Sequence, residues 1–280
     1  MLSVYIQGGL GNQMFQLFAV IAHALSNGIE FKFPYYEHTS AGISRPTYWK
    51  TMFKHLSTHT FRPNTIPFAR YNEPFFHYTQ LPRTTQNIMC VGYFQSEKYF
   101  KTMFSQICDL IKLDDMKQSV KTELGSLCLK LDCSNISMHF RLGDYKSLQN
   151  VHPVLNNDYY IKSIQHIIDT TSSQLNIICF CEEEDKPVVM RRIDEIKSHF
   201  NSTRVVFVLC DTNVADWKQM LLMSLCDHNI IANSTFSWWG AYLNTNSSKI
   251  VTHPSTWFGP VNKHLNTSDL IPGEWCSIIT

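Results

Sequence analysis

From residue 135 onward, short apolar runs alternate with longer segments of helical period, and that alternation constrains the fold more than any other feature. Asn135–Phe140, Leu175–Phe180, Arg204–Leu209, Asn229–Ala232 and Lys249–Thr252 are brief and rich in β-branched or aromatic side chains, as buried strands are. Between them lie helical segments. Asp158–Asp169 carries Tyr160, Ile161, Ile164, Ile167 and Ile168 on one face; a second opens at Pro187, tolerated in a first turn, and runs to about Phe200. Asp216–Leu225 follows, then Phe236–Leu243, capped by Asn233 or Ser234. Strands separated by helices pair in parallel and carry helices on both faces.

The N-terminal half opens the same way. Leu2–Gln7 reads as a strand, Gly8–Gln13 as a glycine loop, and Met14, Phe18, Ile21 and Leu25 as a helix stopped at Ser26-Asn27-Gly28. Ile29–Phe33 then alternates as a second strand, completing a βαβ opening. From Pro34 to about Arg83 the chain is aromatic and proline-rich, and irregular loops with short helices are expected. Met89–Phe94 reads as a strand and Ser96–Leu113 as a helix. At 280 residues the chain suits one large domain or two lobes of about 140 residues. We place the boundary near Leu131, giving lobes 1–131 and 132–280.

Net charge is +1, too weak a field to draw nucleic acid or an anionic membrane, so an anionic ligand must be held by a few placed cations. No stretch approaches the roughly 20 apolar residues of a membrane span. The N-terminus lacks the basic region of a signal peptide, and a soluble cytoplasmic protein is expected. Its nine cysteines then read as reduced thiols, and Cys179 and Cys181 are too close and too isolated for a zinc site. The five Asn-X-Ser/Thr triplets at Asn135, Asn201, Asn233, Asn246 and Asn266 read as polar turns.

Three segments at the carboxyl ends of expected strands carry chemistry. Gly8–Gln13 can turn backbone N–H groups and a helix dipole towards a phosphate, or simply make a tight turn. In His139-Phe140-Arg141-Leu142-Gly143-Asp144-Tyr145, Arg141 offers a planar fork to a diphosphate; the alternative is a salt bridge to Asp144 that ties a loop. Asn233-Ser234-Thr235-Phe236-Ser237-Trp238-Trp239-Gly240 offers hydroxyls and free N–H groups at a helix start, with the two tryptophans read as core.

These segments resemble glycosyltransferase family 11, the α-1,2-fucosyltransferases. Gly8–Gln16 resembles the family's N-terminal signature, and His139–Tyr145 the H-x-R-x-G-D motif shared with α-1,6- and protein O-fucosyltransferases. Asn233–Trp239 resembles a third motif and Gly92–Phe100 a fourth. The resemblance implies an α/β fold of GT-B type, two Rossmann-like lobes with the donor site in the cleft between them. It implies inverting transfer of L-fucose from GDP-β-L-fucose to a glycan acceptor, at the 2-OH of a terminal β-galactose, with no metal and no other cofactor.

Carried over by position, Arg141 grips the β-phosphate and His139 contacts guanine or its ribose. Ser234, Thr235, Phe236 and Ser237 close round the diphosphate, and Gly9 and Asn12 approach it. Gln219 falls where relatives place a guanine-reading acid, with Asp216 as an alternative. The acceptor is expected on Tyr93 and Gln95, stacked on Tyr93, Phe94 or an aromatic of residues 34–83, although Tyr93 and Phe94 are equally readable as core. The base is Asp144 or His152, and Asp144 can instead orient Arg141. Leu142 stands where many relatives carry a second arginine. Glu182 and Glu183 follow a strand where relatives place aspartates, and read either as functional or as a solvated charge run. Two further readings stay open: a non-catalytic nucleotide-sugar or glycan binder on the same fold, and a transferase of another nucleotide sugar.

Overall fold

The computed structural model describes residues 1–39, 43–83, 85–200 and 203–280. Of the triplets named above, Asn201 lies outside them. The chain divides into two compact units, Met1–Asp115 with Leu265–Pro272, and Met116–His264 with Gly273–Thr280.

In the first unit, strand β1 (Leu2–Val4) leads through Gly8 and Gly9 into helix α1 (Leu10–Asn27). Gly28, at φ +63, ends α1 in the left-handed conformation that glycine adopts without strain. The second strand is shorter and later than the alternation suggests: β2 (Phe33–Pro34) pairs with β3 (Thr60–Phe61), while Phe31 of the expected strand forms an isolated parallel bridge to Leu2 of β1. The aromatic stretch after Pro34 supplies core, with the Trp49 ring in contact with both Phe33 and Phe53. Strands β4 (Ala69–Asn72) and β5 (Ile88–Val91) complete a parallel sheet of order β1-β5-β4. The single helix expected over Ser96–Leu113 is instead two short 3₁₀ turns followed by α2 (Phe104–Ile111), which Lys112 stops at φ +57.

Helix α3 (Leu113–Cys128) spans the division between units. The second unit then follows the expected alternation through β6 (Ser134–His139), α4 (Asn157–Thr170), β7 (Leu175–Phe180), α5 (Lys186–Lys197), β8 (Val205–Leu209), α6 (Asp216–Met223), β9 (His228–Ile230), α7 (Thr235–Tyr242) and β10 (Val251–Pro254), and adds a strand not expected from sequence, β11 (Cys276–Ile278). All six strands are parallel, in the order β11-β10-β9-β6-β7-β8. Helix α4 packs on α5, and α6 on α7. Ile136, Met138, Ile177, Cys179 and Ile230 from the sheet and Ile164, Ile167, Val189 and Ile196 from α4 and α5 form one buried core.

Two tyrosines of α4 fix the strand ends. Tyr159 Oη donates to the Ile231 carbonyl at 2.5 Å, and Tyr160 Oη donates to the His139 carbonyl at 3.0 Å. Trp238 and Trp239 are wholly buried, with Trp238 stacked on Tyr242 at 4.6 Å, so both are core residues. None of the nine cysteines is in a disulfide, and five are buried. Asn135 and Asn233 are buried, so neither is a glycan acceptor in the fold. Among the described residues no helix is long and apolar enough to cross a membrane.

Candidate active site

The six-stranded sheet runs outwards from β6 in both directions, β7 and β8 on one side and β9 to β11 on the other. The reversal lies between β6 and β9. In open α/β sheets the crevice at the carboxyl edge of such a reversal is where ligands bind. The chain leaving β6 is Phe140-Arg141-Leu142-Gly143-Asp144, and the chain leaving β9 enters Asn233–Ser237, so the topology brings two of the three singled-out segments to one crevice.

His139 Nδ1 lies 3.0 Å from Ser237 Oγ, and its ring is 5.5 Å from that of Phe236. Burial, reinforced by the positive charge of Arg141, lowers the His139 pKa to about 3, so the imidazole is neutral. Ser237 Oγ also accepts the Ala232 N–H at 3.2 Å. Its hydroxyl thus ties β6 to the start of α7. Ser234 caps α7, its Oγ accepting the Phe236 N–H at 3.3 Å, while Thr235 and Phe236 are half-exposed.

The Arg141 guanidinium is ion-paired through one nitrogen to Asp144 and through the other to Glu182. The salt bridge to Asp144 weighed as an alternative is therefore present, together with a second acid. The register of β6 and β7 explains it: His139 pairs with Phe180, so two residues further on Arg141 meets Glu182. Burial alone would lower the Arg141 pKa, but Glu182, Tyr145 and Asp144 together hold it above its ordinary value. The guanidinium also lies 4.9 Å from the Tyr145 ring centroid. Leu142 is buried in the core and contributes no charge.

Gly143 follows at φ +38, and a Cβ there would sit 2.5 Å from Glu182 Oε2, so both backbone conformation and space require glycine. Its N–H donates to Asp185 Oδ2 at 2.7 Å, and the fully buried Asp185 pairs with Lys146 at 2.7 Å. Of the acid run after β7, Glu182 and Asp185 are therefore engaged within the fold, while Glu183 and Glu184 are exposed. Glu182, Glu184 and Asp185 each bring a carboxylate oxygen within 4.8 Å of the others, a grouping not foreseen from sequence. Two of the three are already matched by Arg141 and Lys146.

His152 stacks on Tyr145 at 4.6 Å and tilts against Phe258 at 5.6 Å. Burial lowers its pKa, partly offset by Asp144 and reinforced by Arg141, which places all three in one electrostatic neighbourhood. Burial pushes the Tyr145 phenol up to about 12, and it donates to the Asn233 carbonyl at 3.2 Å. Asn233, 1% exposed, donates through Nδ2 to the carbonyls of Pro153 and Trp257 at 3.0 and 3.2 Å. Among the described residues, neither Asn233 Oδ1 nor His152 Nδ1 has a hydrogen-bond partner.

Gln219 lies on α6, 8% exposed, with its Nε2 donating to the Val214 carbonyl at 2.7 Å. Asp216 is exposed in the first turn of the same helix. Where α6 meets α7, a Cβ at Gly240 would lie 2.8 Å from Met223 Cβ.

In the first unit, the carboxyl edge of β1-β5-β4 gathers the remaining candidates. Gly8, at φ +76, would place a Cβ 2.5 Å from Asn12 Nδ2, whereas Gly9 faces open space at the start of α1. Asn12 Oδ1 accepts from Gln95 Nε2 at 2.9 Å. Tyr93 is 39% exposed, while Phe94 is fully buried at φ +54 and takes the core reading. Sequence reasoning missed Glu73, whose carboxylate accepts the N–H groups of Tyr93 and Phe94 at 2.7 and 3.1 Å. Burial raises the Glu73 pKa against these hydrogen bonds. The signal was the β4–β5 register, which pairs Asn72 with Val91 and so sets Glu73 beside Gly92.

Comparison with known proteins gives consistent findings. The glycosyl transferase family 11 model matches residues 1–278. An α-1,2-colitosyltransferase of Escherichia coli is 28% identical over 295 residues, covering 98% of this chain and 97% of that protein. A galactoside α-(1,2)-fucosyltransferase 1 of Plecturocebus brunneus is 25% identical over 263 residues, covering 86% of this chain, and the chain spans 64% of that relative's length. Among solved structures, POFUT1 in complex with GDP-fucose matches with a TM-score of 0.50 at 10% identity, covering 89% of this chain and 94% of that one. That likeness is one of fold, an α/β architecture of parallel sheets of GT-B type. With the family model matching nearly every residue, the chain belongs to glycosyltransferase family 11, the α-1,2-fucosyltransferase family.

Proposed function

We propose that the protein transfers L-fucose from GDP-β-L-fucose, with inversion and without a metal, to the 2-OH of a terminal β-galactose on a glycan. The observation that carries this reading is Arg141 at the sheet's reversal point, its fork held by two carboxylates beside a neutral His139 and the cap of α7. In the reaction the galactose oxygen bonds to C1 of fucose while the C1–O bond to the diphosphate breaks, and that electron pair leaves on GDP. Negative charge then grows on the β-phosphate, where a preorganised guanidinium stabilises it. Glu182, the more exposed of the two acids, yields its edge of the guanidinium to the phosphate, and Asp144 keeps the other edge in place.

With Asp144 occupied as an orienting group, His152 takes the acceptor's proton. Its lowered pKa keeps the ring neutral and so able to accept a proton. Ser234, Thr235 and Phe236 present the α7 terminus to the diphosphate, with Ser237 acting through His139. His139 and Gln219 face the nucleoside, and Gly9 and Asn12 contact the donor. Tyr93 and Gln95 contact the acceptor.

A second reading, colitose in place of fucose, is favoured by the colitosyltransferase that aligns with 98% of this chain. A mass-spectrometric screen of GDP-fucose, GDP-colitose and UDP-sugars against a galactoside panel decides. A product heavier by one fucose is expected. Colitose alone as the transferred sugar replaces the donor, and a clear preference for UDP-sugars overturns the reading.

A further inference from the structure

In the first unit, the strand neighbouring β5 at the edge of the sheet is β4, which the sequence pattern does not reveal. The register pairs Asn72 with Val91, so the chain leaving β4 runs beside Gly92-Tyr93-Phe94 at the same carboxyl edge that carries Asn12 and Gln95. That chain is Glu73-Pro74-Phe75-Phe76-His77-Tyr78-Thr79, and it is pinned at both ends. At its start Glu73 accepts the Tyr93 and Phe94 N–H groups. At its end the Tyr78 N–H donates to Asp269 at 3.0 Å and the Thr79 N–H donates to Tyr99 Oη at 3.1 Å, with the Tyr78 and Tyr99 rings 4.8 Å apart.

Between the pins stands Phe75, 60% exposed, its ring stacked on His77 at 5.1 Å and 13°. A large apolar ring left in water costs free energy. Here it is braced by a parallel imidazole on a segment fixed by three hydrogen-bonded anchors, so the ring is held in place while its surface stays open. Such a flat apolar face fits the C–H face of a pyranose, which lays its hydrogens on an aromatic ring while its hydroxyls reach polar neighbours. Tyr93, the other exposed aromatic of this edge, emerges from the adjacent strand.

We propose that Phe75, braced by His77, is the stacking platform for a sugar ring of the acceptor glycan, and that Glu73 positions it relative to Tyr93 and Gln95. The proposal rests on the transferase reading above. It assigns acceptor recognition to a segment that none of the four sequence motifs includes.

The test is steady-state kinetics with the galactoside varied at saturating GDP-fucose, together with GDP calorimetry. Transfer by the wild-type protein is established first: its failure there overturns the transferase reading and this proposal with it, whereas the variant results that follow bear on this proposal alone. Phe75→Ala is expected to raise the acceptor KM about tenfold, the scale of one lost aromatic contact, with GDP affinity unchanged. Phe75→Trp, which keeps a flat ring, is expected to stay within about threefold of wild type. His77→Ala, which removes the brace, should fall between them. An unchanged acceptor KM in Phe75→Ala, or a parallel loss of GDP affinity, overturns the proposal. Circular dichroism identical to wild type excludes unfolding as the cause of any loss.

Discussion

At the scale of single residues, Arg141 carries the most weight. It holds two carboxylates through separate nitrogens, and in the proposed reading the edge that Glu182 yields meets the phosphate while Asp144 keeps the other in place. Lysine keeps the charge but not the fork, and the buried Leu142 offers no second cation. Arg141→Lys is therefore expected to lower kcat about 10²–10³-fold, the usual loss when one preorganised donor is removed from a developing anion. Near-normal kcat and GDP affinity in this variant would mean that the phosphate lies elsewhere. His152 gives a second expectation through pH. The base must be neutral, and burial lowers its pKa from the ordinary 6.5, so the rate falls only as pH drops through that lowered value. The acid limb of kcat should lie below pH 6.5, and His152→Gln should abolish the limb and cost about 10²–10⁴-fold in rate. A limb unchanged in His152→Gln assigns the proton to another group. Arg141, His139 and the α7 cap were legible in the sequence because each follows an apolar run with strand period. Asp185, Glu73 and the pairing of Glu182 with Arg141 were not, since what defines them is the residue across the sheet, and register is not written in one strand.

At the scale of elements, the second unit was legible almost throughout. Its central strands β6 and β7 are buried on both faces and its helices carry apolar stripes, so period and punctuation agree. The elements that escaped are those whose partners decide them. β4 is mostly exposed, with no alternation to betray it, and exists because β5 templates it. Ser96–Leu113 has helical spacing, but the chain tightens into 3₁₀ turns where Phe100 packs against Phe15 and Phe18. Helix packing supplies an expectation of its own at Gly240. A Cβ there lies 2.8 Å from Met223 Cβ, so Gly240→Ala must push α7 off α6. Overpacking of this kind costs about 1–3 kcal/mol, to be read as a lower urea midpoint with unchanged slope. The turn after β7 supplies another. Glu182 and Asp185 of its acid cluster already face Arg141 and Lys146, so two of its three carboxylates have a cation beside them within the protein. Transfer is expected to persist in excess EDTA, and loss of activity restored by Mn²⁺ would give these carboxylates a metal to hold.

At the scale of the whole molecule, the same burial that keeps the site's histidines neutral should make the fold sensitive to mild acid. His139 has its pKa lowered to about 3, and burial also lowers those of His23, His152, His228 and His253. In the unfolded chain each returns to about 6.5 and binds a proton below that pH. The unfolded state then carries more protons than the folded state, so stability falls as pH drops below 6.5, and the loss continues until the folded-state pKa is reached. His139 alone contributes a slope of about 1.4 kcal/mol per pH unit across that window, and the other four steepen it. Glu73 works in the opposite direction: its raised pKa lets the fold take up a proton before the unfolded chain does, but it is one group against five. The lowered carboxylates Glu30, Glu37 and Asp269 add to the loss only from their ordinary values downwards, at the acid end of this window, and leave the step from pH 6.5 to 5.5 alone. Guanidinium unfolding at pH 7.5, 6.5 and 5.5 should therefore show little change over the first step and a marked fall over the second. His139→Gln, which cannot titrate, should flatten the fall by about one proton's worth. A midpoint that holds constant down to pH 5.5 would mean that these histidines accept protons without unfolding, and that His139 is not sealed against Ser237 as the fold places it.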